Sequence, residues 1–266
     1  MESGVRVRAP EAADWALARG ISAFSSAELA DLLGVPEDQV RRRLHVHAQR
    51  AEWVMPVRGL WVPVRAEYRT WGAPPGVEII DAMMEHLDAR YYVGWLTAAS
   101  LLGAAHQAPQ VFQVAVDRQV RDRTVGRTRF EFAQRDVESV DTVAFPTQSG
   151  SAWISSVATT AMDLAVDVAR GGGIDNVATV LVELADLDAF DPTEIARVAA
   201  LFPAVAGRRV GYLLERFAGR DDLESLHDVV HDAVESPSRL DPGGSPSGSV
   251  DPRWMLYLNR EVEPDV

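Results

Sequence analysis

Apolar residues recur at helical spacing in two short stretches near the start of the chain, and a glycine separates them. The first apolar stripe covers residues 29–33. It follows residues 25–28, Ser-Ser-Ala-Glu, in which a serine can cap free N–H groups and an acid lies in the first turn. Gly34 ends the stripe with a residue that adopts positive φ without steric cost. Pro36 suits the first position of a second helix. The pattern predicts two helices that meet at a tight turn.

The second helix is predicted to have one apolar and one basic side. Positions at helical spacing form the apolar side, which we expect to be buried: Val40, Leu44, His47 and Ala51. The opposite side and its flanks contain four arginines and no acid, and we expect them to contact DNA: Gln39, Arg41, Arg42, Arg43, His45, Gln49 and Arg50. A basic second helix of this kind is the element that lies in the DNA major groove.

A short hairpin is predicted directly after the second helix. Residues 53–55 and 60–62 are aromatic and β-branched runs that favour strands, and residues 56–59, Pro-Val-Arg-Gly, favour a turn. Arg58 lies at the tip, where a wing contacts a phosphate or enters the minor groove. Two helices and a hairpin in this order predict a winged helix-turn-helix that binds double-stranded DNA. The alternative is a small helical module that binds protein.

The rest of the chain predicts a larger α+β domain. Breakers at residues 72–76, Gly-Ala-Pro-Pro-Gly, divide a DNA-binding domain over residues 1–72 from a domain over residues 77–266. Strand-like runs predict a small sheet in the middle of that domain: residues 111–116, 128–132, 140–145 and 152–154. Helical patterns precede the sheet and form a bundle after it: residues 77–88, 95–104, 158–169, 174–186, 192–201, 205–217 and 222–235. Residues 236–252 favour a loop or a disordered linker, and residues 254–258 favour a late strand.

Composition indicates a globular protein without disulfides. The 266 residues are 47% hydrophobic, which is sufficient for a buried core, and they include no cysteine. No window approaches the roughly 18 uninterrupted apolar residues of a membrane span. The first residues lack the apolar core of a secretory signal. We therefore expect a cytoplasmic protein with no membrane partner.

The net charge of -13 argues against DNA binding, but its distribution argues for it. Residues 1–72 contain ten arginines and nine acids, a net charge of +1. Residues 39–69 alone contain seven arginines and two acids, a net charge of +5. The remaining residues, 73–266, contain 16 arginines and 30 acids, a net charge of -14. A local basic surface on an acidic body is compatible with binding in a DNA groove.

No group of residues predicts catalysis or a cofactor. The chain lacks the phosphate-binding P-loop, the hydrolase Gly-x-Ser-x-Gly motif and the zinc-protease His-Glu-x-x-His motif. Residues 171–173, three glycines before a helix, can hold an anion or simply connect two helices. Gly150-Ser151 lacks the nearby carboxylates that a nucleotidyltransferase site needs to hold Mg²⁺. We expect a protein that is not an enzyme.

Histidines give two further candidates. His227 and His231 lie four residues apart on one predicted helix, where they can bind zinc or belong to a solvated polar face, and we favour the polar face. His106 can cap the preceding helix or form a hydrogen bond across the core, and no catalytic partner is evident for it.

A second basic stretch surrounds two of the predicted strands. Over residues 118–136 its arginines outnumber the acids by three: Arg118, Arg121, Arg123, Arg127, Arg129 and Arg135. We interpret Arg118, Arg121, Arg123 and Arg127 as candidates for a second nucleic-acid or partner contact. The alternative is an ordinary charged hairpin loop.

Several segments together resemble the AbiEi-type antitoxins. The similarity spans nearly the whole chain: residues 26–35 and 58–64 in the first domain, and residues 92–107, 109–114, 158–164 and 173–181 in the second. The resemblance implies an antitoxin that represses its own operon by binding inverted repeats in the promoter. It also implies a second domain that counters a nucleotidyltransferase-like toxin and assists cooperative DNA binding. In this scheme the antitoxin need not contact the toxin directly.

Two other functions fit the residues alone. One is a winged-helix transcriptional regulator whose second domain senses a small ligand. The other is an enzyme with a fused DNA-binding domain. A toxin gene directly downstream would favour the antitoxin, a polar pocket would favour the ligand sensor, and an acidic metal site would favour the enzyme.

Overall fold

The computed structural model describes residues 6–104, 110–148, 150–231, 236–245 and 247–265. Helices and strands both occur throughout the described residues, so the α+β class is confirmed. The helices are α1 (Ala9–Leu17), α2 (Ser26–Leu33), α3 (Glu37–Gln49), α4 (Gly76–His86), α5 (Trp95–Leu102), α6 (Val157–Val166), α7 (Ile174–Ala185), α8 (Pro192–Ala199), α9 (Ala204–Phe217) and α10 (Glu224–His231), with a 3₁₀ turn at Ala66–Trp71. None of them is long and apolar enough to cross a membrane.

Strands form three separate sheets in the described residues. They are β1 (Phe24–Ser25), β2 (Trp53–Val57), β3 (Leu60–Pro63), β4 (Tyr91–Val93), β5 (Val111–Val116), β6 (Arg123–Val125), β7 (Thr128–Gln134), β8 (Thr142–Thr147), β9 (Gly150–Ser155), β10 (Ser238–Arg239), β11 (Ser249–Asp251) and β12 (Leu256–Leu258). The strand orders are β1-β3-β2, β6-β7-β5-β4-β9-β8 and β10-β12-β11.

The chain divides into two compact units that are not continuous in sequence. The first contains residues 1–92, 110–135 and 144–153, and the second contains residues 93–109, 136–143 and 154–266. The sequence-based division between residues 72 and 77 stays a prediction.

In the first unit, α1, α2 and α3 enclose an apolar core. Ser25 caps α2 by accepting the Glu28 N–H, and the Glu28 side chain in turn accepts the Ser25 N–H. Gly34 ends α2 in the left-handed conformation, at φ 64°, as predicted. Pro36 is the N-cap residue of α3, one position before the place expected from the sequence. Eleven residues form the buried core: Ala12, Ala13, Ala16, Phe24, Leu29, Ala30, Leu32, Val40, Leu44, Trp53 and Trp61.

The hairpin β2–β3 has a shorter turn than the sequence suggests. Pro56 and Val57 belong to β2, so the predicted turn over residues 56–59 is reduced to Arg58 and Gly59. The register between β2 and β3 is irregular between Val54 and Val57. Since β2 is an edge strand, a proline there costs no ladder hydrogen bond when its nitrogen faces outward.

The larger sheet has six strands, whereas four were predicted from the sequence. β5 pairs with β7 in parallel, from Val111↔Arg129 to Val116↔Gln134. β6 pairs antiparallel with β7, and β4 pairs in parallel with β9. β4 and β6 contain three residues each, which is too short for an alternating pattern to identify a strand.

In the second unit, α9 packs against α6, α7 and α10. The prediction of a loop or disordered linker over residues 236–252 is wrong at its ends, where β10 and β11 each pair with β12. The physical reason is burial: Leu240, Trp254 and Leu256 are at most 1% exposed, so this segment is anchored by its apolar side chains. The late strand predicted over residues 254–258 is confirmed for Leu256–Leu258, which form β12, whereas Trp254 and Met255 lie in the preceding turn.

Candidate nucleic-acid interface

α3 has one buried side and one exposed basic side. Val40 and Leu44 are 1% and 0% exposed and fix the helix on the core. The opposite side is open to solvent over seven side chains: Arg41, Arg42, Arg43, His45, Val46, Gln49 and Arg50. Gln39 is half-buried, and its side-chain oxygen accepts a hydrogen bond from Arg42 Nη2 at 3.3 Å. The helix therefore presents the face that the sequence assigned to DNA.

The buried side of α3 is shorter than its periodicity suggests. His47 and Ala51 are only half-buried, and Ala51 lies beyond the helix end with φ 51°. His47 Nδ1 is 2.6 Å from Glu52 Oε2. This contact holds Glu52, one of the two acids between residues 39 and 69, in a part-buried position with 19% of its side chain exposed.

Most arginines of this region are not neutralised by acids in the described residues, whereas Arg69 pairs with Asp14 at 3.6 Å. No carboxylate in the described part of the chain lies within the 4.0 Å ion-pair distance of five of them: Arg41, Arg42, Arg43, Arg50 and Arg58. By contrast, Arg8, Arg197 and Arg253 each form an ion pair with at least one acid. An exposed guanidinium without a carboxylate partner keeps its donors available for an external anion.

Two neighbouring elements hold the tip of the β2–β3 hairpin. The Ser26 N–H donates to Gly59 O at 2.8 Å, and Trp61 Nε1 donates to Ser26 Oγ at 3.1 Å. His86 Nε2, at the end of α4, lies 3.1 Å from Arg58 O. Gly59 has φ 88°, a conformation that only glycine adopts at low cost. The backbone of the tip is thus fixed while the Arg58 side chain remains exposed.

The hairpin has another support that the sequence did not reveal. Arg123 Nη1 donates to Pro56 O at 3.5 Å, and the guanidinium lies 5.6 Å from the ring centre of Phe132. Burial lowers the pKa of Arg123. His86 and Arg123 are separated from their partners by 28 and 67 residues, so no local pattern could have identified them.

In the second basic stretch, some arginines have partners within the protein and others are free to contact a ligand. Arg118 forms ion pairs with Asp117 at 3.2 Å and with Asp88 at 3.6 Å. Arg121 and Arg127 are exposed and have no ion pair in the described residues, whereas Arg123 is half-buried beneath the hairpin. Of the four candidates, Arg121 and Arg127 remain available to a ligand.

The histidines singled out in the sequence differ in their exposure and contacts. His227 is not part of a solvated face: 17% of its side chain is exposed, and its ring meets that of Trp254 edge-on at 5.6 Å. Its ring nitrogen lies within 4.8 Å of carboxylate oxygens of Glu224 and Asp228, but Glu224 is also paired with Arg253 at 2.8 Å. His231 is exposed and stacks on His227. His106 lies outside the described residues.

The two glycine motifs occupy ordinary structural positions. Residues 171–173 connect α6 to α7, and the Asn176 side chain donates to Gly171 O at 2.7 Å. Gly150-Ser151 begins strand β9.

Comparison with known proteins identifies a domain in the middle of the chain. Residues 92–216 match the family model of the AbiEi antitoxin C-terminal domain. The crystal structure of the RV2827C protein from Mycobacterium tuberculosis is similar with a TM-score of 0.67 and 14% identity, over 96% of this chain and 92% of that chain, which shows a shared fold. No curated protein matches the chain. Residues 92–216 therefore contain an AbiEi antitoxin C-terminal domain, which supports an antitoxin role in a toxin–antitoxin system.

Proposed function

We propose that this antitoxin is also a transcriptional repressor of its own operon. Residues 1–72 act as a winged helix-turn-helix, in which α2 and α3 form the two helices and β2–β3 forms the wing. The second domain, residues 77–266, counters a cognate nucleotidyltransferase-like toxin. Neither activity requires catalysis by this chain, and both are exercised in the cytoplasm.

The observation that carries the proposal is the unneutralised basic face of α3. Five exposed arginines lie on α3, just after it and at the hairpin tip without a carboxylate partner in the described residues, in a chain with 39 acids and 26 arginines. Acids are numerous enough to pair these arginines, yet Glu52 is held by His47. The sequence and the fold together keep this face positive, as phosphate binding requires.

The dimensions of α3 suit the major groove. Its 13 residues extend about 20 Å, and a major groove about 12 Å wide admits one α-helix. Gln39, Arg42, Val46 and Gln49 lie along one side of the helix and supply the side chains that would meet base edges. Arg41, Arg43 and Arg50 flank them and supply phosphate contacts, while Arg58 reaches the backbone or minor groove from the wing.

An inverted repeat in the promoter has two-fold symmetry, so two copies of the protein are needed to bind it. Promoter inverted repeats are read by two copies of such a domain whose recognition helices lie one helical turn of DNA apart, about 34–36 Å. Arg121 and Arg127, which are exposed, supply the second nucleic-acid or partner contact of this assembly.

The test separates the two activities in one strain. The full-length protein is expressed beside its neighbouring toxin gene and a reporter driven by its own promoter, with protein levels measured. Arg41, Arg42 and Arg43 are replaced together by alanine. We expect repression to be lost and growth rescue to be retained, because these substitutions leave the second core intact.

The matched control is Arg216→Ala, which removes an exposed arginine from α9. It should change neither readout. Retained repression in the triple variant would overturn the assignment of α3. Loss of rescue at normal protein level would show that toxin control depends on DNA binding.

A further inference from the structure

A groove in the second unit is lined by hydrogen-bond donors and, among the described residues, by no acid. Its volume is about 600 Å³, and it lies between the start of α9 and the edge of the small C-terminal sheet. Arg209, Arg239, Ser238 and Tyr257 supply its polar lining. Residues 73–266 carry a net charge of -14, so a groove with two arginines and no carboxylate in its described lining is unusual for this part of the chain.

Arg209 is a buried cation with only neutral partners. It is 6% exposed, its Nη1 donates to Ala165 O at 2.7 Å, and its Nε and Nη2 donate to Arg239 O at 3.3 and 3.0 Å. No described carboxylate forms an ion pair with it. A guanidinium has five N–H donors, so two remain after these three bonds. Buried charges are normally paired, because removing them from water is costly.

The nearest acid is already engaged elsewhere. Asp241 acts on Arg209 through its charge, but its Oδ1 accepts the Gly243 N–H at 2.9 Å and its Oδ2 lies 3.4 Å from Arg260 Nη1. Burial lowers the pKa of Arg209; Asp241 raises it, and the charge of Arg239 lowers it further. A bound anion would supply the counter-charge that Asp241 provides only at a distance.

The edge of the sheet adds further donors beside Arg209. The N–H groups of Ser238 and Leu240 donate to Met255 O and Tyr257 O across the sheet, each at 3.0 Å. The N–H and C=O of Arg239 therefore face the other way, toward Arg209. The carbonyl accepts from Arg209, whereas the N–H donates to no described residue. The exposed Arg239 side chain forms no ion pair in the described residues.

We propose that this groove binds a small molecule that carries a phosphate group, with the phosphate between Arg209 and Arg239. The Arg239 N–H and the hydroxyls of Ser238 and Tyr257 supply further donors. Pro237 and Pro242 give an apolar wall for the rest of the molecule.

The size and the surrounding charge favour a small ligand over a nucleic acid. The groove is open to solvent and has a volume of about 600 Å³, which is enough for a phosphate and a short attached group. A nucleic acid would extend beyond the groove over a body with a net charge of -14 and be repelled. The groove would bind its ligand independently of α3.

The test is calorimetric titration of the full-length protein with sodium pyrophosphate, with ATP and with a single-stranded oligonucleotide. We expect pyrophosphate or ATP to bind one site with a Kd of about 1 mM or tighter. Arg239→Gln, at an exposed position, should weaken this binding about tenfold through loss of a charge-assisted hydrogen bond. Arg209→Lys should weaken it as well, provided that this variant folds.

The control is Arg216→Gln, which removes the same charge from α9 outside the groove. It should bind as the unaltered protein does. Absence of saturable binding of both small probes would overturn the proposal. Equal weakening of probe binding in Arg239→Gln and Arg216→Gln would also overturn it, because it would indicate attraction by the overall charge. Binding of the oligonucleotide alone would overturn it as well.

Discussion

Arg42 is the residue that we expect to read the operator sequence. Its side chain is exposed on the outer side of α3, beside Gln39 and without a carboxylate partner in the described residues. If it forms a bidentate contact with a guanine, Arg42→Ala should cost about 1–3 kcal/mol of discrimination. The measurement is competition between the promoter duplex and duplexes with single base-pair changes. Uniform weakening on all duplexes would mean that Arg42 contacts phosphate only.

Arg58 is expected to contribute affinity rather than specificity. It lies at a fixed backbone tip with an exposed side chain, which suits a phosphate contact. Arg58→Ala should weaken binding to all sequences alike and reduce the slope of log K against log salt by about one. A salt titration by fluorescence anisotropy measures both effects. An unchanged slope would place Arg58 away from the DNA backbone.

At the residue scale, the sequence identified the exposed side chains better than the distant residues that hold the hairpin in place. The periodicity of Val40 and Leu44 determines which side of α3 is buried, so the arginines on the other side followed directly. The contacts that hold the tip of the β2–β3 hairpin could not be found this way. His86 and Arg123 depend on the path of the chain through distant elements, which local spacing does not encode.

At the scale of elements, α9 and the C-terminal segment depend on each other. Gly211 lies where a Cβ atom would overlap the six-membered ring of Trp254, and Trp254 Nε1 donates to Glu215 Oε2 at 2.7 Å. Gly211→Ala should therefore destabilise the protein by about 1–3 kcal/mol through overpacking, despite the better helix propensity of alanine. Urea unfolding of the full-length protein measures this free energy.

The control for this prediction is a double-mutant cycle with Trp254→Leu. A smaller side chain should relieve the overlap, so the double variant should lose less stability than the sum of the two single variants. Additive losses, or a stable Gly211→Ala variant, would contradict the docked position of residues 254–258.

The missed elements share one physical cause. Helices such as α7 and α9 have enough turns for their apolar spacing to be recognised, and they lie close to their predicted bounds. β4, β6 and β10 contain two or three residues each and exist because partner strands lie beside them. Residues 236–252 are mostly polar, so the sequence did not indicate that Leu240 is buried by tertiary contacts.

At the scale of the whole molecule, charge distribution was the most useful sequence property. The net charge of -13 includes a stretch of +5 over residues 39–69, and five exposed arginines of that stretch have no acidic partner in the described residues. The division into two compact units was harder to predict from the sequence. The first unit combines residues 1–92 with two later stretches, and such grouping depends on the topology of the sheet.

The most direct test of the central claim is binding of the full-length protein to its own promoter. Fluorescence anisotropy compares this duplex with a scrambled duplex of equal length at several salt concentrations. The variants are Arg41, Arg42 and Arg43 replaced together by alanine, and a control in which the exposed Arg129, Arg197 and Arg216 are replaced together.

We predict that the unaltered protein and the control prefer the promoter duplex. The α3 variant should lose that preference, and its salt slope should fall by about two, as expected for loss of the phosphate contacts of Arg41 and Arg43 at about 0.9 each. Equal binding of both duplexes by the unaltered protein, or equal losses in the two triple variants, would contradict the assignment of α3 as the DNA-reading element.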